Sequence, residues 1–140
     1  HSSWYEEDVR DEVLSFLEEH GMSLVVVDAP KVDAKNVPRT LLAVTGPTVY
    51  LRFHGRNEKT WNSRGGSAAE RFDYLYSDDE LREWVEPLRE LAGQAQNAYA
   101  FFNNNNRSPG DGGYGGYVAQ GAANAQVLKK LLAETPAAAR

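Results

Sequence analysis

Arg52, His54 and Arg56 are the residues of this sequence best suited to chemistry. They stand at every second position near the end of the run from Thr48 to Arg56, and Tyr50 precedes them at the same spacing. An imidazole can take up or release a proton near neutral pH, and a guanidinium can clamp a carboxylate or phosphate through two hydrogen bonds. The pattern therefore indicates acid–base chemistry on an anionic substrate, with His54 as the catalytic residue and Arg56 as the anion clamp.

The same run is predicted to be a β-strand with two different faces. Side chains alternate across a strand, so Val49, Leu51 and Phe53 would point to one side and the polar residues to the other. An apolar back suits packing on helices, and a polar front suits a ligand cavity. Arg56 would lie at the rim of that cavity.

Two further strands are predicted, over about residues 23–28 and 98–103. The first is almost entirely apolar, which is typical of a strand buried on both faces of a parallel sheet. Helices or long connections separate the three strands, the second of which covers about residues 48–54. We therefore predict an α/β fold with a parallel sheet.

Polar residues follow each predicted strand. In parallel α/β folds the carboxyl ends of the strands meet at one edge of the sheet, where ligands bind. The first residues of the chain would join that edge if a strand preceded them. We expect one shared pocket that contains the following residues: Asp28, His54, Arg56, Asn103, Asn104, His1 and Trp4.

Each of these residues also has a structural interpretation. Arg52 could pair with a buried carboxylate, since buried charges need partners. His54 could be hydrogen-bonded to a neighbouring strand, and Arg56 could be a solvated loop residue. Asp28 could act as a base, pair with Arg52, or cap a turn.

Composition narrows the class of protein. The 140 residues are 41% hydrophobic, which suits one ordinary domain, and a net charge of -5 argues against a general nucleic-acid or anionic-membrane binder. No apolar run approaches the roughly 20 residues needed to span a bilayer. The sequence has no Cys, which excludes thiol chemistry and is compatible with the cytoplasmic location that we expect. No metal-ligand, Walker or dinucleotide motif is present, so we expect no metal site, and the cofactor remains unknown.

Helical periodicity marks three segments. A Ser3 and Glu6 capping box predicts a helix that runs to about His20, and a second box at Ser77 and Glu80 predicts one that runs to Gly93, kinked at Pro87. The last helix is expected over about residues 118–132. The first helix carries a candidate packing stripe, and so does the last: Val9, Val13, Phe16 and Leu17, and Val127, Leu128, Leu131 and Leu132.

The remaining segments are predicted to be irregular. Residues 29–47 contain three prolines and are expected to form a loop with at most a helical turn near residues 39–43. The glycine-rich stretch 110–116 could cradle a phosphate, but it lacks the phosphate-loop lysine, so we favour a mobile insertion. The aromatic residues Trp61, Tyr74 and Tyr76 could stack on a ligand or cover a rim. Residues 135–140 are expected to be a disordered tail.

Several motifs in order along the chain resemble the YecE-like family, domain of unknown function 72. They are His1-Ser2-Ser3-Trp4, Tyr50 to Arg56, Tyr74-Leu75-Tyr76-Ser77 with the helix that follows, Phe101-Phe102-Asn103-Asn104, and Asn124-Ala125 with the final leucine helix. The resemblance covers essentially the whole chain.

The resemblance implies a TIM barrel without implying a reaction. In the family the first of these motifs closes a strand in the middle of the protein, so residues 1–140 would form a single partial domain, the C-terminal half of a (β/α)8 barrel. A whole barrel needs about 250 residues. The missing N-terminal half-barrel, supplied separately or replaced by self-association, is therefore an expected partner. Tyr50 and Arg52 would then face the barrel lumen, where Arg52 becomes the more structural residue.

Two functions fit these expectations. The first is an enzyme that acts on a small anionic or phosphorylated substrate at the strand ends, with His54 as acid or base and Arg56, Asn103 and Asn104 as substrate-binding residues. The second is a non-catalytic ligand-binding or accessory protein that uses the same pocket. Nucleic acid is a less favoured partner because the chain is acidic.

Overall fold

Three parallel strands form the centre of the fold in the computed structural model, which describes residues 2–32, 40–61 and 67–134. The strands are β1 (Val25–Asp28), β2 (Thr48–Phe53) and β3 (Asn97–Phe102), and β2 lies between the other two. The register places Val27 beside Arg52, and Arg52 beside Phe101. The prediction of a parallel sheet in an α/β fold is confirmed.

One face of the sheet carries the core. Val49, Leu51 and Phe53 are buried, as the alternation in β2 predicts, and they pack against apolar side chains of three helices. These helices are α4 (Asp78–Arg82), α5 (Val85–Ala92) and α6 (Gln120–Glu134). Leu128 and Leu131 of α6 are buried, which confirms the predicted packing face of the last helix.

The helix between Ser77 and Gly93 is divided rather than kinked. Ser77 does form the predicted capping box with Glu80, but the helix stops at Arg82 and a new one begins at Val85. Pro87 lies in the first turn of α5, where its missing N–H is tolerated because the first N–H groups of a helix have no partner within it. The break therefore falls before the proline.

The first helix differs from its prediction in two ways. Residues Ser2–Tyr5 form a 3-10 helix, and α1 (Glu7–Glu19) begins after Glu6 without a side-chain cap, so Ser3 is not the N-cap of this helix as predicted. None of the residues of α1 is buried, and Phe16 is exposed. The predicted packing stripe is thus only partly covered by the part of the chain that the structure describes, since Val9, Val13 and Leu17 are half-buried.

The glycine-rich segment forms a hairpin, which corrects the mobile insertion that we favoured. Strands β4 (Arg107–Tyr114) and β5 (Tyr117–Ala119) pair antiparallel, and Gly115 and Gly116 have the positive φ angles that a tight turn requires. Two short helices also escaped prediction, α2 (Glu58–Trp61) and α3 (Ala68–Arg71).

Some expectations fall outside the described residues. They concern residues 33–39 of the expected loop, the tail at 135–140 and the placement of His1. Residues 40–44 form no helix. Among the described helices, the longest is α6 with 15 residues, and none is long and apolar enough to cross a membrane.

Candidate functional site

Asp28 and Arg56 form a largely buried ion pair at the carboxyl ends of β1 and β2. The Arg56 Nε atom lies 3.0 Å from Oδ2 of Asp28 and its Nη2 atom lies 3.0 Å from Oδ1, so both carboxylate oxygens accept hydrogen bonds. Nη1 of Arg56 donates to Glu83 at 2.9 Å. Of the alternatives open for Asp28, the structure therefore shows pairing, with Arg56 rather than with Arg52.

Tyr76 belongs to the same cluster. Its phenol donates to Oδ2 of Asp28 at 2.6 Å and accepts a hydrogen bond from the Gly55 N–H at 2.8 Å. Burial and the negative charge of Asp28 raise the pKa of Tyr76, so the phenol stays protonated. Burial by itself lowers the pKa of Arg56, but its hydrogen bonds to Asp28 and Glu83 raise it overall.

His54 lies on the other face of the sheet. Its ring stacks on Phe72 at a centroid distance of 5.5 Å and meets the edge of Trp61 at 6.2 Å. The Nδ1 atom is buried and has no hydrogen-bond partner. Burial, reinforced by the positive charge of Arg52 and opposed by Asp28, lowers the pKa of His54 to about 4. The imidazole is therefore neutral at pH 7.

Arg52 stands beside His54 on this face. Among the residues that the structure describes, its guanidinium has no hydrogen bond or ion pair. Its neighbours in the sheet are apolar or aromatic, since Arg52 lies next to Phe101, which stacks on Tyr50 at 4.6 Å. We call the residues Val25, Tyr50, Arg52, Tyr99 and Phe101 the open face, because Tyr99 is 52% and Phe101 43% exposed.

The asparagines after β3 have different surroundings. The backbone N–H of Asn103 donates to the Phe53 carbonyl at 2.8 Å and extends the sheet by one residue. Asn104 is fully buried, and its amide group donates to Tyr74 and to Asn124. Its own Oδ1 is buried without a partner. Asn104 therefore lies inside the fold, with its amide nitrogen committed to structural contacts.

Two amides of α6 bind the segment that precedes α4. Asn124 accepts the Tyr76 N–H at 3.1 Å and donates to the Tyr76 carbonyl at 2.9 Å. Gln120 accepts the Tyr74 N–H and donates to Asp73 and to Ser108. The side chains of a helix thus take the place of a neighbouring strand for residues 74 and 76.

The strand-end residues do not form the single pocket that the sequence predicts. Asp28 and Arg56 line a cavity of about 250 Å³ beside Glu83 and Trp84, whereas His54 and Arg52 lie across the sheet. Trp4 lies on the 3-10 helix with an exposed side chain and does not line this cavity. In the described part of the chain, no group of three or more His, Asp or Glu side chains could hold a metal ion.

Sequence reasoning missed several residues of this region. Tyr76 was noted only as a stacking or rim aromatic, although it binds Asp28 and Gly55. The alternation of Phe72, Tyr74 and Tyr76 is a strand-like signal that could have placed it. The contact of Glu83 with Arg56 has no comparable signal, since it joins residues 27 positions apart.

The chain matches the family described as "Protein of unknown function DUF72" over residues 1–138. It is 33% identical over 106 residues to UPF0759 protein YunF of Bacillus subtilis (strain 168), and the matched region covers 74% of this chain and 38% of YunF.

Two crystal structures of DUF72 family proteins are also similar. One, from Thermotoga maritima MSB8, has a TM-score of 0.73 and 37% identity and covers 95% of this chain and 44% of its own. The other, from Enterococcus faecalis V583, has a TM-score of 0.79 and 29% identity, and the match covers 97% of this chain and 46% of the Enterococcus chain. The chain spans less than half the length of each of these relatives. By sequence and by fold, the chain belongs to the DUF72 family.

Proposed function

We propose that this chain is the C-terminal half of a (β/α)8 barrel whose lumen binds a small anionic ligand, such as a phosphorylated metabolite, with His54 as the proton-transferring residue. One observation carries the proposal. A cation without a described counter-ion, Arg52, stands next to a neutral imidazole with a free ring nitrogen on the same face of a parallel sheet.

The exposed apolar surface supports the half-barrel. Tyr99 and Phe101 of the open face and Phe16 of α1 are exposed, and the outer edges of β1 and β3 pair with no described strand. Water-exposed strand edges beside an apolar face are costly for a folded protein. The relatives are more than twice as long as the matched region. We therefore propose that the N-terminal half of the protein, rather than a second copy of this chain, covers the exposed surface.

Charge compensation favours Arg52 over Arg56 as the anion-binding residue. Arg56 already donates to the carboxylates of Asp28 and Glu83, and an incoming anion would have to displace them. Arg52 has no such competitor among the described residues, and a lumen of low polarity would strengthen its attraction for an anion. We therefore propose that Arg52 binds the anion and that Arg56 has a structural role in its ion pair with Asp28.

His54 begins any reaction as a base, because an imidazole with a pKa of about 4 is neutral at pH 7 and has one unprotonated ring nitrogen that can take up a proton. The same low pKa makes it a weak base. This favours, as the second candidate, a binding protein in which His54 only accepts or donates a hydrogen bond to the ligand.

Calorimetric titration of the intact protein with inorganic phosphate at low ionic strength tests the proposal. We expect binding that Arg52→Met weakens at least tenfold. The matched control is Arg82→Met, since Arg82 is an exposed arginine paired with Asp79 on α4. Absence of phosphate binding, or equal losses in the two variants, would rule the proposal out.

His54→Gln separates the two candidates. In an enzyme this change abolishes turnover of a phosphate ester while phosphate affinity persists. In a binding protein, wild type and variant are equally inactive and differ only in affinity.

A further inference from the structure

Asp28 and Tyr76 together hold the three successive residues that follow β2. The Asp28 carbonyl accepts the His54 N–H at 2.9 Å, the Tyr76 phenol accepts the Gly55 N–H at 2.8 Å, and the Asp28 carboxylate binds the Arg56 guanidinium. Tyr76 and Asp28 are joined to each other at 2.6 Å. We call this pair the turn clamp.

The turn needs such a clamp because its backbone is unusual. Gly55 has a φ of +86°, a conformation that other residues rarely adopt. A Cβ atom at this position would lie only 2.7 Å from Cβ of Tyr74, so the backbone runs in close contact with the neighbouring segment. The turn directs His54 toward Phe72 and directs Arg56 toward Glu83.

Tyr76 is itself firmly fixed. It is 3% exposed, Asn124 binds both its N–H and its carbonyl, and its ring meets Phe53 edge-on at 5.4 Å. Its oxygen therefore has a defined position from which it can hold the Gly55 N–H. A phenol held in this way acts on the turn as a rigid support.

We infer that Tyr76 is a positioning residue of the pocket: through the Gly55 N–H and Asp28, it sets the His54 ring against Phe72 and Trp61. This inference rests on the proposed function, because it gives the reacting role to His54. It adds the residue that fixes where the imidazole sits. Tyr76 itself contacts no reacting atom.

Tyr76→Phe in the intact protein removes the phenol oxygen and leaves the ring. The matched control is Tyr74→Phe, which also removes a partly buried phenol group, in this case one that donates to Glu80. The readout is NMR titration of the His54 ring protons, which the stacked Phe72 ring should shift upfield. We expect the Tyr76 variant to lose part of that shift and to raise the His54 pKa by about 1 unit, since a freed ring regains solvent. Tyr74→Phe should leave both unchanged.

A His54 signal and pKa that stay the same in Tyr76→Phe would overturn the inference, even if the variant is less stable. If that variant does not fold, hydrogen exchange on the wild type decides: a protected Gly55 amide is expected, and a rapidly exchanging one refutes the clamp. These readouts need no ligand. A protein that binds no phosphate but shows these effects would therefore refute the proposed function and leave the turn clamp standing.

Discussion

Replacing Asp28 by Ala should strongly destabilise the protein. The side chain of Asp28 is 6% exposed and that of Arg56 is 17% exposed, so both charges are largely removed from water. The carboxylate accepts hydrogen bonds from Nε and Nη2 of Arg56 and from the Tyr76 phenol. Its loss leaves a half-buried guanidinium with Glu83 at 2.9 Å and the more distant Glu80 at 3.8 Å, and a buried phenol without this acceptor.

Breaking a buried pair from one side costs about 3–5 kcal/mol. With a urea m-value of about 2 kcal/mol/M, the midpoint of unfolding should fall by about 2 M. The assay is urea denaturation followed by tryptophan fluorescence, to which the buried Trp61 and Trp84 contribute.

Two controls accompany this measurement. Glu134→Ala removes an exposed partner of Lys130 and should leave the urea midpoint unchanged within error. In the double variant with Arg56→Met, the loss should be smaller than the sum of the single losses, because the uncompensated charge is gone. A midpoint for Asp28→Ala within about 0.3 M of wild type, roughly the error of such fits, or strictly additive losses, would refute the reasoning.

Three further predictions follow from the same geometry. Gly55→Ala should cost about 2–4 kcal/mol in urea unfolding, from its positive φ and the contact with Tyr74, whereas Gly115→Ala, which meets open space, should cost less. Ser77→Ala should cost about 1 kcal/mol by the same assay, since it removes the N-cap of α4. Because the pKa of His54 falls from 6.5 to about 4 on folding, stability should drop as pH falls through that window, where only the unfolded chain takes up the proton. Urea titrations of His54→Gln at pH 7 and pH 4 should show a smaller drop than wild type.

The sheet could be predicted because its signals are local. Alternation in β2 and the apolar run of β1 are visible within a few residues, and the structure confirms both. The hairpin could not be predicted in this way. Its glycines fit a flexible segment equally well, and its base is held by Gln120, whose contacts with Ser108 and Asp73 cannot be seen in either local sequence.

The sequence predicts which types of residue lie at the candidate site, but not which of them lie together. That the strand ends carry polar residues is correct, yet Asp28 points with the core face, next to Phe53 in register, while His54 points to the opposite face. A one-residue difference in where each strand ends decides the face, because side chains alternate. That detail depends on the register between strands, which the sequence does not contain locally.

The amide of Asn124 has a consequence for folding. It satisfies both backbone groups of Tyr76, 48 residues earlier, in the manner of a partner strand. Until α6 docks, that stretch of backbone can bond only to water, so its burial must wait for the last helix to be made. Contacts of such long sequence separation slow folding. The segment that supports the candidate site is thus completed only after α6 has been synthesised.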